Sequence, residues 1–432
     1  MTKIIGPLKN IAIVVLAALC VYQAGVLWFV SITNRTSLMN FMPFLYQEAI
    51  PDGVSRLVQP WRVILAHPDG HYTVQYNDLQ EARRYGDKVI SHLFKGGSYI
   101  SSSPIVHELD VFLALHSHNN NPIYIFEYAF LMEAEWFSLG FGQRGNLLTA
   151  RGMGAFSRVV IVPPNYGKPD ATVFFFSDNG YVHEFVVSPP SEAAFDTDIP
   201  EEFFGHNYIW FNDQFIRHGE FFFHTIEVRN PYADAHGGFT MHFVQEQLAP
   251  FFNNTAIRTI SDDNVFIYRG VSTVVRYYDT HVLEYISYRA IDRNAPTSFI
   301  NDFSVAYQFL SEDNLVINEV FLSGFSSEYG KNIFYFDYVI NNTPLVMPYN
   351  WPITHPIIIT VDHGTVVNYQ KIAFNFHTNE QVWGVATADF RNIQSFDYVR
   401  MGFRIGNRNI EHLHWFADER TFPVPHDIAR TE

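Results

Sequence analysis

The first hydrophobic pattern in the chain is an uncharged, mostly apolar run of 22 residues from Ile11 to Ile32. As an α-helix this run is about 33 Å long, which is enough to cross the hydrocarbon core of a bilayer. Lys3 and Lys9 precede it, and the first acidic residue is Glu48. Because basic residues stay on the cytoplasmic side, the pattern predicts a cytoplasmic tail at 1–10, a transmembrane anchor at 11–32 and a single-pass protein of the cell membrane whose bulk is extracytoplasmic.

A cleaved signal peptide is the alternative interpretation of this run. A signal peptide has an apolar core of about 7 to 15 residues followed by a small-residue cleavage site. Here the apolar residues continue past Ala24 and Gly25 into Val26–Val30. The length therefore favours an anchor that is not cleaved. Lipidation of Cys20 is disfavoured, because Leu19 precedes it where a small residue is usual.

Small and polar residues within the predicted anchor form a candidate transmembrane contact. Ala17 and Ala18 lie seven residues before Ala24 and Gly25, so the two pairs share nearly one helix face. Small residues let a neighbouring helix approach closely, and Gln23 could hydrogen-bond across such a contact. We therefore expect these five residues to touch another transmembrane helix. An anchor that only tethers the protein is the alternative.

Beyond the anchor, apolar residues at helical spacing predict two amphipathic helices. An irregular stalk at 34–60 comes first, and the first helix follows at 78–95. The second helix is predicted at 298–310, with Thr297 or Ser298 as its cap. The apolar residues on one face of this second helix are Phe303, Ala306, Tyr307 and Leu310.

The other patterns predict mainly strands, because apolar and polar residues alternate. A third helix is expected to end at Leu248. Together the elements predict an α+β fold of mainly antiparallel sheets with single packed helices. We expect an N-terminal lobe at 61–165, a middle lobe at 166–255 and a C-terminal lobe at 256–432. The predicted strands are 61–65, 111–116, 123–128, 172–176, 181–187, 221–228, 265–268, 273–278, 282–288, 334–340, 357–361 and 366–376.

Charge and composition narrow the classes of function. The chain has 28 basic and 44 acidic residues and a formal charge of −16, which would repel a phosphate backbone. Nucleic acid is therefore not an expected partner. Aromatic residues make up 17% of the chain and favour strands. The one cysteine, Cys20, excludes intramolecular disulfides and thiolate metal clusters.

Two short motifs suggest enzymes, and each has a simpler interpretation. Gly140, Gly142 and Gly145 match the dinucleotide pattern, but that pattern must lie between a strand and a helix, and 147–151 does not open a convincing helix. The sequence 177–179 matches one element of penicillin-recognising enzymes, yet the required Ser-x-x-Lys and Lys-Thr-Gly are absent from the sequence. A glycine loop and a hairpin turn are the favoured interpretations.

Histidines and carboxylates also fail to define a site. Two histidine pairs would each place both rings on one face of a strand, but zinc needs further ligands, such as Glu108 or Glu411. The acidic groups could be paired carboxylates of a glycosidase, and a solvated acidic surface is the simpler interpretation. We therefore expect no catalytic residue, metal or cofactor. These residues are His116 with His118, His412 with His414, Glu133, Glu135, Asp196, Asp198, Glu201 and Glu202.

The basic tail and single anchor occur together with residues 61–65 and 76–79 near the start and 336–345 and 359–364 in the last third. In the order of these features the chain resembles the YycH family. Members of this family are membrane-anchored extracytoplasmic proteins. With a partner called YycI, they restrain the cell-wall sensor kinase WalK in Gram-positive bacteria.

The resemblance implies three α+β lobes outside the membrane, of which the C-terminal lobe at 256–432 resembles YycI. It implies a non-enzymatic regulator whose partners are a WalK-like membrane-bound sensor histidine kinase and a YycI-like protein. Regulation would work through contact between transmembrane helices, and we expect the outer part to bind a partner protein. A module that binds wall glycans or peptides is the first alternative, and an extracellular hydrolase is the second.

Overall fold

The computed structural model describes the chain from residue 58 to residue 430 in segments. The predicted anchor and most of the stalk lie outside the described residues. Among the described residues, no helix has the length and apolar character needed to cross a membrane. The segments are 58–68, 72–75, 80–104, 122–143, 147–164, 168–188, 208–211, 214–217, 219–229, 251, 258–262, 265–278, 280, 282–293, 298–313, 319–340, 343–347, 351–373, 375–388, 399–405, 410–417, 420–423 and 426–430.

The first sheet has nine strands, and all its neighbouring pairs are antiparallel. The strands are β1 Arg62–Ala66, β2 Tyr72–Gln75, β3 Ser98–Pro104, β4 Ile123–Glu133, β5 Ala155–Val162, β6 Ala171–Ser177, β7 Tyr181–Val187, β8 Tyr208–Phe211 and β9 Gln214–Arg217. Their order in space is β3-β7-β6-β5-β4-β1-β2-β8-β9. Both faces of β1 are buried, which explains its continuous apolar sequence.

Helix α1, Gln80–Gly96, packs its apolar side against the first sheet. Val89, Ile90 and Leu93 are buried, and they belong to the main hydrophobic core. Gly86 permits this close packing, since a Cβ there would lie 2.4 Å from the ring of Phe126. The opposite side of α1 is therefore left for polar residues. Two shorter helices of this part are α2, Ala134–Gly140, and α3, Leu147–Ala150.

The other strands of the described chain form a twelve-stranded sheet and a three-stranded sheet. In the larger sheet β17 and β21 are parallel, and the other paired strands are antiparallel. Its strands are β11 Arg258–Asp262, β12 Val265–Arg269, β13 Thr273–Tyr278, β14 Val282–Ser287, β15 Glu319–Glu328, β16 Lys331–Ile340, β17 Thr343–Val346, β18 Ile357–Asp362, β19 Thr365–Ile372, β21 Val399–Ile405, β22 Ile410–Ala417 and β23 Arg420–Pro423. The smaller sheet contains β10 Gly219–Arg229, β20 Asn375–Ala388 and β24 His426–Arg430.

Helix α4, Phe299–Glu312, packs across β16, β18 and β19 of the larger sheet. Ser298 caps it, because its hydroxyl accepts a hydrogen bond from the backbone N–H of Asn301. Phe303, Ala306 and Leu310 are buried on one side of the helix. The cap and the buried face confirm the predicted second helix.

Several sequence predictions are confirmed and others need correction. The α+β class is confirmed, and α1 confirms the helix predicted at 78–95. The prediction that residues 147–151 open no helix is wrong, because α3 forms there around the buried Leu148. The strand predicted at 366–376 is interrupted, since β19 ends at Ile372 and β20 begins at Asn375.

Two further predictions fall outside the described residues. They are the strand at 111–116 and the helix ending at Leu248. The predicted lobe boundary at residue 165 falls between β5 and β6, which pair with each other in the first sheet. The division into three lobes stays a prediction.

Candidate functional site

The five residues of the predicted transmembrane contact lie outside the described residues. They are Ala17, Ala18, Gln23, Ala24 and Gly25. His116, His118, Glu108, Gly145, Asp196, Asp198, Glu201 and Glu202 also lie outside them. The roles predicted for these residues therefore stay predictions.

The motifs that suggested enzymes have structural roles where they are described. Gly140 ends α2 close to Val58, and Gly142 has a φ of 74°, a left-handed conformation that suits glycine. At the end of β6, the Ser177 hydroxyl donates a hydrogen bond to the carbonyl oxygen of Ala155. Gly180 closes the β6–β7 hairpin with a φ of 78°. These contacts match the interpretation as a loop and a turn.

The described histidines and carboxylates include no group of three or more that could hold a metal ion. His412 and His414 lie on one strand, β22, two residues apart. Glu133 precedes α2 without forming a side-chain cap. Partial burial raises the pKa of Glu133, and the nearby charges of Glu135 and Asp178 raise it further. Glu133 and Glu135 therefore influence each other, and the interpretation as a solvated acidic surface stays a prediction.

One buried carboxylate belongs to an ion pair between strands of the first sheet. Glu127 on β4 is hydrogen-bonded by Arg62 on β1 and by Arg158 on β5. The Arg158 Nη2 atom is 2.7 Å from Glu127 Oε1. Burial alone would raise the pKa of Glu127, but the two guanidinium groups outweigh it and hold the pKa below its usual range. A carboxylate held in its charged form by two arginines joins strands and is not available as a general acid.

A second buried ion pair ties the end of α4 to the larger sheet. Asp313 follows the helix and accepts hydrogen bonds from Tyr369 and Lys371 on β19. The side chains of Asp313 and Lys371 are each 2% exposed. Burial lowers the pKa of Lys371, and the adjacent carboxylate opposes this effect. The pair fixes the position of the helix on the sheet.

A third buried carboxylate holds the first turn of α4 against the β18–β19 turn. Asp302 is fully buried and accepts hydrogen bonds from the Asn332 side chain, at 2.6 Å, and from the backbone N–H of Gly364, at 3.0 Å. His363 has a φ of 45°, so this tight turn is in a left-handed conformation. Burial raises the pKa of Asp302, although both hydrogen bonds oppose the rise. The hydrogen bonds of Asp302 therefore hold the β18–β19 turn against α4.

The outward side of α1 is a basic surface, which we define by Arg83, Arg84, Lys88, His92 and Lys95. Together with Asp87 and Ser91 these residues form an open face of the helix. Arg84, Lys88 and Lys95 are exposed. They lie at positions i, i+4 and i+11, which fall on one helix face. This concentration of positive charge contrasts with the formal charge of −16 of the chain.

The edge strand β3 adjoins the basic surface in the chain. Gly97 is the one residue between α1 and β3. On one side β3 pairs with β7, and within the described part of the first sheet no strand pairs with its other side. Ile100 is 54% exposed, and Ser101–Pro104 are exposed as well. An exposed edge of this kind can pair with another extended chain.

Sequence reasoning did not identify the basic surface or β3. The signal for the basic surface was present, because Arg84, Lys88 and Lys95 recur at helical spacing on the side opposite Val89 and Leu93. The strand β3 has no comparable signal, since its sequence contains four serines and no alternating apolar pattern. Its pairing with β7 depends on the tertiary structure.

The described chain therefore defines an α+β protein of large, mostly antiparallel sheets, in which buried charges are internally paired and an outer helix carries a basic surface. This fold is the fold of YycH. The crystal structure of YycH from Bacillus subtilis matches this chain with a TM-score of 0.55 at 10% sequence identity, and the match covers 86% of this chain and 96% of that chain. No protein-family model and no curated protein matches the sequence.

Proposed function

We propose that the protein is a non-enzymatic regulator of a two-component sensor histidine kinase that controls cell-wall metabolism. The observation that carries this proposal is the YycH fold, which extends over 86% of the chain. A similarity of this extent concerns the whole arrangement of sheets and helices rather than one common motif. The proposal assigns the protein to the cell membrane, with an N-terminal anchor and an extracytoplasmic bulk.

The buried ionisable groups support a role without catalysis. Glu127 is paired with two arginines, Asp313 is paired with Lys371, and Asp302 accepts two hydrogen bonds. A general acid or base must exchange protons with a substrate and therefore has to reach one. Each of these carboxylates instead joins elements of the fold.

The proposed mechanism has two kinds of contact. The anchor, through Ala17, Ala18, Gln23, Ala24 and Gly25, would touch transmembrane helices of the kinase. The outer part would bind a partner protein of the YycI kind. Both contacts are compatible with a protein that alters the output of the kinase without catalysing a reaction itself.

Capture of the intact protein from membranes tests this proposal. The full chain with a C-terminal affinity tag is crosslinked in cells, solubilised and purified, and the captured proteins are identified. We expect a membrane-bound sensor histidine kinase among them. The control is an equally abundant membrane protein with an unrelated anchor and the same tag. Recovery of the kinase in equal amounts with that control would contradict the proposal.

A further inference from the structure

We propose that two copies of this chain associate through a row of turns at one end of the larger sheet. The row, which we call the turn row, consists of residues 270–272, 288–289, 363–364 and 329–330. The contact is isologous, and its two-fold axis passes near the first residue of β19, at the middle of the row. The inference goes beyond the proposed function and does not depend on it.

The strand register places all four segments of the turn row at the same end of the sheet. Thr273 at the start of β13 pairs with Ser287 at the end of β14, and β14 is antiparallel to β19. Asp362 at the end of β18 pairs with Thr365 at the start of β19 and with Lys331 at the start of β16. Neighbouring strands are about 4.8 Å apart, so the β12–β13 and β15–β16 turns are about 24 Å apart. This length approaches the width of an interface that buries about 800 Å² per partner.

The three most exposed large apolar or aromatic residues of the described chain all lie in the turn row. Val271 is 85% exposed, Tyr288 is 64% exposed and Tyr329 is 100% exposed. Single exposed apolar residues are common on protein surfaces, whereas a group of them at one place is typical of an interaction surface. Tyrosine is also among the residues that contribute most to protein interfaces.

The backbone of the β15–β16 turn supports a role for Tyr329 outside its own fold. Tyr329 has a φ of 52° and Gly330 has a φ of 77°, so both residues of this tight turn are left-handed. Asparagine and glycine are the residues that suit such positions. Because Tyr329 is fully exposed, burial within the chain does not explain an aromatic residue there. A contact with a second protein surface does.

The two ends of the turn row are complementary to each other. A two-fold axis perpendicular to the row reverses its order in the second copy. Val271 then meets Tyr329 of the second copy, and Arg269 meets Glu328 of the second copy. Arg269 and Glu328 are exposed, and neither forms an ion pair within the described part of the chain. The opposite alignment would bring Arg269 against the same arginine of the second copy, which like charge disfavours.

Glu328 points to the face of the larger sheet that is opposite α4. It pairs with Lys331 across the β15–β16 turn. The next residue, Asn332, donates a hydrogen bond to Asp302 of α4 and therefore points toward the helix. Because side chains alternate along a strand, Lys331 and its cross-strand partner Glu328 point away from α4.

Arg269 points to that same face. It pairs with Val274, and the residues level with Val274 are Ile286 on β14 and Asn368 on β19. Tyr369, which follows Asn368, donates a hydrogen bond to the carboxylate at the end of α4, so Asn368 and the residues level with it point away from the helix. A two-fold axis along the sheet normal keeps each face on its own side. The two opposite charges can therefore meet across the contact.

Association of two tagged forms of the full chain tests the inference. The chains carry different affinity tags, are produced together, solubilised in detergent micelles and purified through one tag. The recovered fraction of the other chain is measured over a dilution series. We expect the natural chains to associate. Arg269→Glu and Glu328→Arg should each weaken the association of a chain with itself about tenfold, because every dimer contains this exposed pair twice.

A mixture of the two variants provides the specific test. An Arg269→Glu chain and a Glu328→Arg chain again form two attractive pairs with each other. We therefore expect this mixture to associate about as strongly as the natural chains. The matched controls are Lys168→Glu and Glu135→Arg, which make the same charge changes at exposed residues on other parts of the fold. Each control should associate with itself like the natural chain.

Cysteine crosslinking tests the alignment of the two copies. Cys20, the one natural cysteine, is first replaced by serine. One tagged chain then carries Val271→Cys and the other carries Tyr329→Cys, and a short bifunctional maleimide is added. We expect crosslinked dimers from the mixture and not from either variant alone, since equal positions are about 24 Å apart across the axis.

Four outcomes would overturn the inference. The first is that natural chains do not associate, which would leave the turn row to a different partner. The second is that Arg269→Glu and Glu328→Arg associate like the natural chain, which would place the contact elsewhere, for example in the anchor. The third is a mixture as weak as the single variants, and the fourth is equal crosslinking of Val271→Cys alone. The assays contain no kinase, so their failure leaves kinase regulation to be decided by kinase output.

Discussion

The indole ring of Trp136 lies parallel to the phenyl ring of Phe299, with 3.7 Å between the ring centroids and 7° between the ring planes. Trp136 belongs to α2, next to the first sheet, and Phe299 is the first residue of α4 on the larger sheet. Phe325 on β15 meets Trp136 edge-on. Trp61 stacks on Phe321 as a second contact of the same kind. Aromatic stacking thus joins the two large sheets.

Replacing Trp136 by alanine should destabilise the protein by about 2–4 kcal/mol, because the substitution removes the stacking and leaves a cavity beside Phe299. The measurement is chemical unfolding of the intact protein in micelles, followed by circular dichroism. Trp136→Phe is the control and should lose less, since a smaller ring can still stack. A loss below about 0.5 kcal/mol for the alanine variant would show that this contact contributes nothing to stability.

The contact between α2 and α4 could be predicted from the sequence only in part. The helix that begins at Phe299 follows from the apolar spacing at Phe303, Ala306 and Leu310, because one face of a helix must be buried. The contact with Trp136 does not follow, since the two residues are more than 160 positions apart and no local pattern connects them. Long-range pairing also explains why β3 was missed, whereas the helical spacing of the basic surface was visible in the sequence.

The features of the candidate site could likewise be predicted only where a local sequence pattern determines them. An anchor could be predicted from the sequence because a membrane imposes a strict local requirement on length and polarity. The ion pairs of Glu127 and Asp313 could not be predicted, because each joins residues from elements that meet only in the folded protein. The sequence shows charged residues within apolar strands without showing their partners.

The pair of Lys371 and Asp313 gives a second prediction. Lys371→Met should destabilise the protein by about 3–5 kcal/mol, because it leaves the buried carboxylate of Asp313 without its cation. The double variant Lys371→Met, Asp313→Asn should recover most of that loss, since the amide oxygen can still accept from Tyr369. The measurement is the free energy of unfolding of both variants. A double variant as unstable as the single one would contradict the assignment.

A third prediction concerns His183 on β7. It is 4% exposed, and neither ring nitrogen has a hydrogen-bond partner in the part of the chain that the structure describes. Burial lowers the pKa of His183, so the folded state resists protonation more than the unfolded state does. The unfolded state therefore binds more protons as the pH falls below about 6.5, and stability should decrease there.

The measurement is the thermal unfolding midpoint at pH 7.5 and pH 5.5. His183→Leu should reduce the difference between the two midpoints, because it removes the group that must be protonated. His92→Gln is the control, since His92 lies on the outer side of α1. If the natural protein and His183→Leu lose stability equally at pH 5.5, His183 is not the cause of the pH dependence.

A fourth prediction concerns the anchor. An interhelical hydrogen bond in a bilayer contributes about 0.6 kcal/mol, so Gln23→Leu alone should weaken kinase regulation only slightly. The triple variant Gln23→Leu, Ala24→Leu, Gly25→Leu should weaken it strongly, because larger side chains prevent close approach of a neighbouring helix.

The matched control for the anchor is Ile13→Leu, Val14→Leu, Val15→Leu, which introduces three leucines on apolar positions of the same segment. Kinase output is compared at equal membrane abundance of each variant. If the control weakens regulation as much as the triple variant does, the small residues have no special role. If an unrelated apolar helix replaces the anchor without any change in kinase output, the anchor serves only to tether the protein to the membrane.

Kinase output in cells tests the central claim most directly. The gene for this protein is deleted and then restored at its natural abundance, and the phosphorylated fraction of the response regulator is measured in each strain. The account predicts that deletion changes this fraction and that the restored full chain returns it to its original value. A phosphorylated fraction that stays the same in all strains would contradict the account.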